Sequence, residues 1–245
     1  MSKVRLILSI GIVMIFFCAA TTLQAQKPPE TRKRENVSYL PLENVHIAAQ
    51  SIEAFFSDLS LYHDIPIGLE IASNDDAFAM YDIEFKRGTV ADFLNHFTKA
   101  YNLYAWDIKD GVINIFPRDG YRDLVIDNLL NTQVANFKIE ANTSCWKAVD
   151  LLLATAEVKR NLQASGITQE GLNFSGVYFP QLGREFTLDV SDMTVKSILN
   201  KMAKDSPLAR MWVSKKYGYE QTFFIRLHAL HEGSPLRRTT SQEKP

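Results

Sequence analysis

The sequence has few cysteines and no excess of charge of either sign. It contains two cysteines, and its 27 Lys and Arg residues face 28 Asp and Glu residues, a formal net charge of −1. A small secreted scaffold held by disulfides is excluded, because such a framework needs several cysteine pairs. A nucleic-acid-binding domain concentrates basic residues on one surface. The even charge balance therefore predicts no nucleic-acid partner.

Sequence signatures of catalysis are also missing. The chain has no Gly-x-Ser-x-Gly, phosphate loop, dinucleotide fingerprint or His-Glu-x-x-His. Cys145 has no ordered His and Asp partners in the sequence and is interpreted as a small buried thiol. A carboxylate pair for an envelope-polymer hydrolase would come from Asp58, Asp64, Glu70 and Glu84, but their positions suit solvated faces. We predict no catalytic residue and keep the hydrolase as an alternative.

Metal-binding patterns are weak. The run from Asn74 to Asp76 has calcium-type ligands but lacks the regular spacing and distal Glu of a calcium loop, so a solvated turn is favoured. His228 and His231 lie where a predicted strand enters a polar tail, and a strand directs residues three apart to opposite faces. The sequence therefore predicts no metal site and no cofactor.

The N-terminus has the pattern of a secretory signal. Lys3 and Arg5 precede an uncharged apolar run from Leu6 to Ala20, and Leu23-Gln24-Ala25 is a usable cleavage site. The run is shorter than the ~20 apolar residues of a typical membrane span. We expect residues 1–25 to be removed, leaving no stable transmembrane span, although retention of the segment as an anchor stays an alternative.

The predicted processing places the protein in an exported compartment. Cys18 invites a lipid-anchor interpretation, but the bulky Phe17 before it disfavours that attachment. Cleavage leaves Cys145 as the only cysteine, and an exported chain without disulfides fits a bacterial periplasm. Residues 26–36 are charged and proline-containing, which is typical of a solvated linker, and residues 231–245 are predicted to be a flexible tail.

The most informative stretch runs from Tyr81 to Phe116. Tyr81 to Lys86 alternates apolar and polar residues, as a half-buried strand does. Thr89 then precedes a helical stripe and is a predicted N-cap. Alternation resumes at Leu103, and Lys109-Asp110-Gly111 is a turn between two strands.

A second copy of this pattern follows at an offset of 105 residues. Thr89, Val90, Phe93, Leu94 and Phe97 correspond to a second set, which consists of Thr194, Val195, Ile198, Leu199 and Met202. Because each pair has the same chemical role, the matches favour an internal duplication over chance similarity.

The remaining patterns complete an α+β fold of two tandem units in βαββαββ order, each with two helices on short mixed sheets. We place them at residues 37–120 and 121–230. The first unit begins with a strand over Val37 to Leu42, and the second has an insertion from Asn161 to Asn173. Its middle strand is expected over Phe186 to Val190.

This order resembles the short N-terminal domain of secretins and TonB-dependent transducers. The residues that carry the resemblance are the helix of Ile52 to Leu59, the strand of Ile83 to Lys86, the helix start of Thr89 to Leu94 and the hairpin of Leu103 to Trp106 with Val112 to Ile115. It covers residues 45–117, with a weaker version over 133–227. His63-Asp64 stands where the family usually has Gly. The resemblance implies contact with an envelope or outer-membrane protein and no catalysis.

The leading interpretation is a non-catalytic, periplasmic protein–protein interaction or envelope assembly module. Its alternatives are the hydrolase and a small-ligand-binding protein that uses a cleft between the units. Aromatic residues cluster at the two closing hairpins, and aromatic side chains often anchor interfaces. The candidate interface residues are Tyr101, Tyr104, Trp106, Trp212, Tyr217 and Tyr219.

Overall fold

The computed structural model confirms an α+β fold. It describes residues 36–73, 79–169, 182, 186–216 and 222–229. The predicted signal segment, most of the linker and the tail lie outside these ranges. The described residues all belong to one compact unit. Among the helices of the described ranges, none combines the length and the apolar character that crossing a bilayer requires.

The first half of the chain alternates strands with two helices. A 3₁₀ turn at Val37–Tyr39 precedes β1 (Pro41–Ala49), α1 (Ile52–His63), β2 (Ile67–Glu70), β3 (Tyr81–Thr89), α2 (Val90–Ala100), β4 (Tyr104–Lys109) and β5 (Val112–Pro117). The expected strand from Val37 is therefore wrong at its start, since the chain first makes the turn capped by Asn36.

The second half adds four helices. Its elements are α3 (Leu124–Leu130), β6 (Gln133–Ile139), α4 (Cys145–Leu153), α5 (Ala156–Ser165), β7 (Thr168–Gln169), β8 (Leu188–Thr194), α6 (Val195–Asp205), β9 (Ala209–Lys216) and β10 (Thr222–Ala229). The predicted insertion begins inside α5, so its first residues are helical. The middle strand starts later than expected, at Leu188.

Local sequence explains where the helices begin. The Thr89 hydroxyl accepts from the Asp92 amide at 3.2 Å, and the Asp92 carboxylate accepts from the Thr89 amide at 2.9 Å. This reciprocal capping box satisfies two amides that have no partner within the helix. Thr194 caps α6 through a 3.1 Å bond from the Ser197 amide. Both predicted N-caps are thus confirmed.

The strands form one six-stranded sheet and two two-stranded sheets. The large sheet has the order β4-β5-β2-β9-β10-β7, while β1 pairs with β3 and β6 with β8. The two halves of the chain meet at the parallel pair of β2 and β9, where Gly68 lies opposite Trp212. The β4–β5 and β9–β10 pairs are antiparallel.

The large sheet separates two apolar cores. Met211 and Val213 of β9 join the core built on α1 and α2, whereas the alternating Trp212 joins the core of α4 and α6. Because successive side chains of a strand point to opposite faces, one central strand supplies both cores. The sheet is therefore covered on both faces at β9.

Ion pairs tie distant parts of the chain together. Glu70, at the end of β2, accepts from Lys196 of α6 at 2.7 Å, and both side chains are largely buried. Asp64 takes the left-handed conformation at the end of α1, with φ at 53°, and its carboxylate pairs with Arg210 of β9. The polar residue at this helix end thus serves as the C-cap and holds the neighbouring strand.

Candidate functional site

The six candidate interface residues do not share one environment. Tyr104 and Trp212 are fully buried, so their side chains offer no surface to a partner, and that part of the interface prediction is corrected. Tyr101 and Trp106 are half-buried. Tyr217 and Tyr219 lie outside the described residues.

Internal partners account for the two buried aromatics. The Tyr104 hydroxyl accepts from the Ala72 amide at 3.3 Å. The Trp212 indole donates to the Asn200 amide oxygen at 2.7 Å and lies over Gly68, which has no side chain to obstruct it. A buried ring with a satisfied polar group is a structural element of the core.

Strand β4 forms one end of the six-stranded sheet. The Arg118 amide donates to the Leu103 carbonyl at 2.9 Å. Since hydrogen-bonded and non-bonded pairs alternate in an antiparallel ladder, Ala105, Asp107 and Lys109 direct their backbone groups to β5. The amides and carbonyls between them face away from the sheet, and no strand of the described ranges pairs with them.

At the start of β4, the outward backbone groups of Tyr104 already have hydrogen-bond partners. The Tyr104 amide donates to the Tyr101 carbonyl at 3.2 Å, and the Tyr104 carbonyl accepts from Arg118 Nε at 3.0 Å. What stays available is the backbone of Trp106 and Ile108, two donors and two acceptors. We call these two residues the open edge of β4.

The surroundings of the open edge are well defined. The Trp106 indole donates to the Asn95 side chain at 3.1 Å, which fixes the ring against α2. The Tyr101 hydroxyl accepts from the Asp82 amide at 2.8 Å. On the opposite face of β4, Asp107 is exposed. The open edge therefore combines backbone groups, a positioned aromatic ring and a charge.

The edges of β1, β8 and β7 are less suited to pairing. In β1, Pro41 lacks an amide and Asn44 has φ at 52°, while Asp192 in β8 has φ at 51°. Prolines and local irregularities of this kind protect sheet edges from added strands. Strand β7, at the other end of the large sheet, has two residues.

The residues considered for catalysis are dispersed. Burial raises the pKa of the Cys145 thiol to about 12, so the thiolate is not available near neutral pH. Glu70 and Asp64 are held in separate ion pairs, with Lys196 and Arg210. Glu84 is exposed on β3. The burial of Cys145 and the ion pairs of Asp64 and Glu70 give these three residues ordinary structural roles.

The metal candidates are equally separate. His228 Nε2 and Glu53 Oε1 are 2.9 Å apart in a link between β10 and α1. The run from Asn74 to Asp76 and His231 fall outside the described ranges. Within those ranges, no group of three or more His, Cys, Asp or Glu side chains is arranged to hold a metal.

A polar groove of about 590 Å³ lies between α3 and α5. Asn161 crosses it and donates to the Thr132 hydroxyl at 2.9 Å. The lining residues all belong to the second half of the chain, so this groove is not a cleft between the two predicted units. Its lining consists of Asn128, Asn131, Thr132, Glu157, Arg160, Asn161, Ala164 and Ser165.

Sequence reasoning did not identify which strand forms the exposed sheet edge. The Asp110-Gly111 turn fixes which residues of β4 bond to β5, but the order of strands in the sheet comes from contacts distant in sequence.

Comparisons with protein-family models, curated proteins and solved structures found no match.

Proposed function

We propose that this chain is a non-catalytic protein–protein interaction module of the bacterial envelope, and that it receives a strand of its partner at the open edge of β4. The observation that carries this proposal is the set of outward backbone groups on Trp106 and Ile108, at the end of a well-packed sheet. An extended segment added there gains main-chain hydrogen bonds, while neighbouring side chains select its sequence. The half-buried Trp106 ring supplies such a contact.

The proposal includes two tandem βαββαββ units at residues 37–120 and 121–230. Equivalent backbone bonds support it: the Val90 amide donates to the Leu40 carbonyl at 2.9 Å, and the Val195 amide donates to the Thr132 carbonyl at 3.0 Å. In both halves the last strand of the closing hairpin also pairs in parallel with a strand that lies between the two capped helices in sequence. These pairs are β5 with β2 and β10 with β7.

The first helices support the same correspondence. Ser51 and Ser144 each accept from the amide three residues later at 3.1 Å, and they are 93 residues apart. Because the second helices are 105 residues apart, the second unit gains 12 residues between its helices. Helix α5 lies in that interval. An experimental structure in which superposing α2 on α6 fails to place β5 on β10 would contradict the duplication.

Export to the periplasm is part of the same proposal. Its support is the charged start, the apolar run and the cleavage site within residues 1–25. The resemblance to the short N-terminal domain of secretins and TonB-dependent transducers supports an envelope partner. Cell fractionation that finds the chain in the cytoplasm would remove this part of the proposal.

The direct test is capture of a partner from envelope extract. Ile108→Pro removes an outward donor without removing a bond to β5, because the Ile108 amide faces away from that strand. We expect Ile108→Pro to lose the captured protein and Ile108→Val, which keeps the amide, to retain it. Circular dichroism and thermal melting establish that both variants are folded.

A proline at another edge is the matched control. Ala135 lies on β6 at a position that does not bond to β8, by the alternation that follows from the Val195 to Thr132 bond. Ala135→Pro should leave capture unchanged. Equal loss in both proline variants, or a hydrolytic activity that disappears with one carboxylate, would overturn the interaction-module proposal.

A further inference from the structure

We infer that the strand received at the open edge of β4 is β4 of a second copy of this chain, related by a two-fold axis at Ile108. This inference rests on the proposed function, because it names the partner of the same edge. A two-fold axis perpendicular to the sheet brings two identical edge strands together antiparallel. The two six-stranded sheets then become one continuous sheet.

Three symmetric registers involve the open edge most directly, with the axis at Trp106, Asp107 or Ile108. An axis at Trp106 pairs Ile108 with Tyr104 of the other copy. The backbone groups of Tyr104 are already bonded to Tyr101 and Arg118, and the Arg118 side chain occupies the outer side of the strand there. That register is therefore obstructed.

The axis at Ile108 uses backbone groups that are free to pair. The two Ile108 residues exchange a pair of amide-to-carbonyl bonds. By the same alternation, the Asp110 amide points outward and faces the Trp106 carbonyl of the other copy. The Asp110 carbonyl is held by Lys204 Nζ at 2.8 Å, which fixes the turn in place. The contact thus contains four hydrogen bonds.

Charge distinguishes the two registers that remain. With the axis at Asp107, the two Asp107 carboxylates lie directly opposite each other, where like charges destabilise an antiparallel pair. With the axis at Ile108, each Asp107 lies opposite Lys109 of the other copy. Both side chains are exposed on the same face of β4. Two opposite-charge pairs therefore favour the axis at Ile108.

Charge reversal tests this register. Asp107→Lys and Lys109→Asp each replace two attractive pairs by two repulsive pairs. Each reversal loses two favourable cross-strand pairs and creates two unfavourable ones, so we expect each variant to raise the dimer dissociation constant roughly fourfold to several-hundredfold. The measurement is sedimentation equilibrium of the purified protein over a wide range of concentration and at low salt.

Mixing the two variants supplies the matched control. In a mixed dimer, one copy carries two lysines and the other two carboxylates, so both opposite-charge pairs return. We expect the equimolar mixture to associate as the wild type does. Since neither variant changes a buried side chain, thermal melting should show that both remain folded.

Three results of the charge-reversal experiment would overturn the inference. These are a wild-type monomer at every concentration, a Lys109→Asp variant that dimerises like the wild type, and a mixture that stays monomeric. A monomer that captures another protein in an Ile108→Pro-sensitive manner rejects the second copy but leaves strand addition standing. A dimer that survives Ile108→Pro rejects the use of this edge by the second copy, while capture from envelope extract still tests the proposed function.

Discussion

The contact between Gly68 and Trp212 makes a sharp prediction about the junction of β2 and β9. A Cβ atom added at Gly68 would lie 2.5 Å from two carbons of the indole and 2.6 Å from its nitrogen. Ordinary carbon contacts are about 3.5–4.0 Å, so the indole has to move by about 1 Å. Trp212 is fully buried, and its nitrogen donates to Asn200 at 2.7 Å.

The magnitude of the Gly68→Ala effect follows from these contacts. Overpacking a core typically costs about 1–3 kcal/mol, and disturbing a buried hydrogen bond costs about 1–3 kcal/mol more. Alanine also lowers the conformational entropy of the unfolded chain relative to glycine, which offsets about 0.4–1 kcal/mol of this cost. We therefore expect Gly68→Ala to lower the free energy of unfolding by about 1–5 kcal/mol, a large share of a typical domain's stability.

Urea denaturation followed by circular dichroism measures this loss, and Trp212→Phe tests its cause. Phenylalanine lacks the indole nitrogen that the new methyl group would meet. The double variant should therefore lose less unfolding free energy than the sum of the losses in the two single variants. The difference should be about 1 kcal/mol or more, as is found for neighbouring residues that interact. A Gly68→Ala cost below about 0.5 kcal/mol, or additive costs, would refute the steric explanation.

Two further predictions concern the first core and the charge at α1. Phe93 is fully buried beside Phe55 and Phe85, at ring-centre distances of 6.0 and 5.5 Å; Phe93→Ala should cost about 3–5 kcal/mol in urea denaturation, whereas the exposed Leu124→Ala should change stability little. Burial raises the pKa of Glu53, but the hydrogen bond from His228 and nearby positive charges outweigh it and hold that pKa below 4.5. A lowered carboxyl pKa stabilises the fold above the unfolded value and loses this contribution as the pH falls through the folded value. The stability difference between wild type and Glu53→Gln should therefore shrink on acidification below pH 4.5; a pH-independent difference would contradict the assignment.

Local sequence predicted the starts of α2 and α6 and the first closing hairpin. The cap at Thr89 and the stripe of α2 depend on residues within a few positions of each other, so one stretch contains the needed information. The same holds for the turn at Asp110-Gly111, where both residues have positive φ, at 57° and 78°. A short-range pattern suffices because each contact closes only a small loop.

Helix α5 shows where local pattern fails. Only Val158 is fully buried along its length, so the apolar periodicity that identifies a surface helix is nearly absent. In addition, helix α4 ends at Leu153 and α5 begins at Ala156. Between them, the Thr155 hydroxyl donates to the Leu152 carbonyl at 2.8 Å. The insertion predicted from Asn161 to Asn173 consequently begins within a helix.

The environments of the aromatic residues depend on contacts that no local pattern contains. Alternation places Tyr104 and Trp212 on strands, but burial of Trp212 requires β2, and Gly68 is 144 residues before it. The ion pair of Glu70 with Lys196 is of the same kind. A sequence pattern predicts which face of a strand is apolar, whereas strand order decides whether a second layer covers the other face.

Strand order also explains why the proposed partner site is at β4. Because β2 pairs with β9, the strand set β4-β5-β2 and the strand set β9-β10-β7 each lose one open edge to the other. The large sheet then ends at β7, which has two residues, and at β4, which has six. Arg118 closes the first part of β4 and Lys204 holds its turn. Trp106 and Ile108 are consequently the part of this sheet's edge best able to take a strand in antiparallel register. If that edge binds no strand, the interaction proposed for this fold has to use side chains elsewhere on the surface.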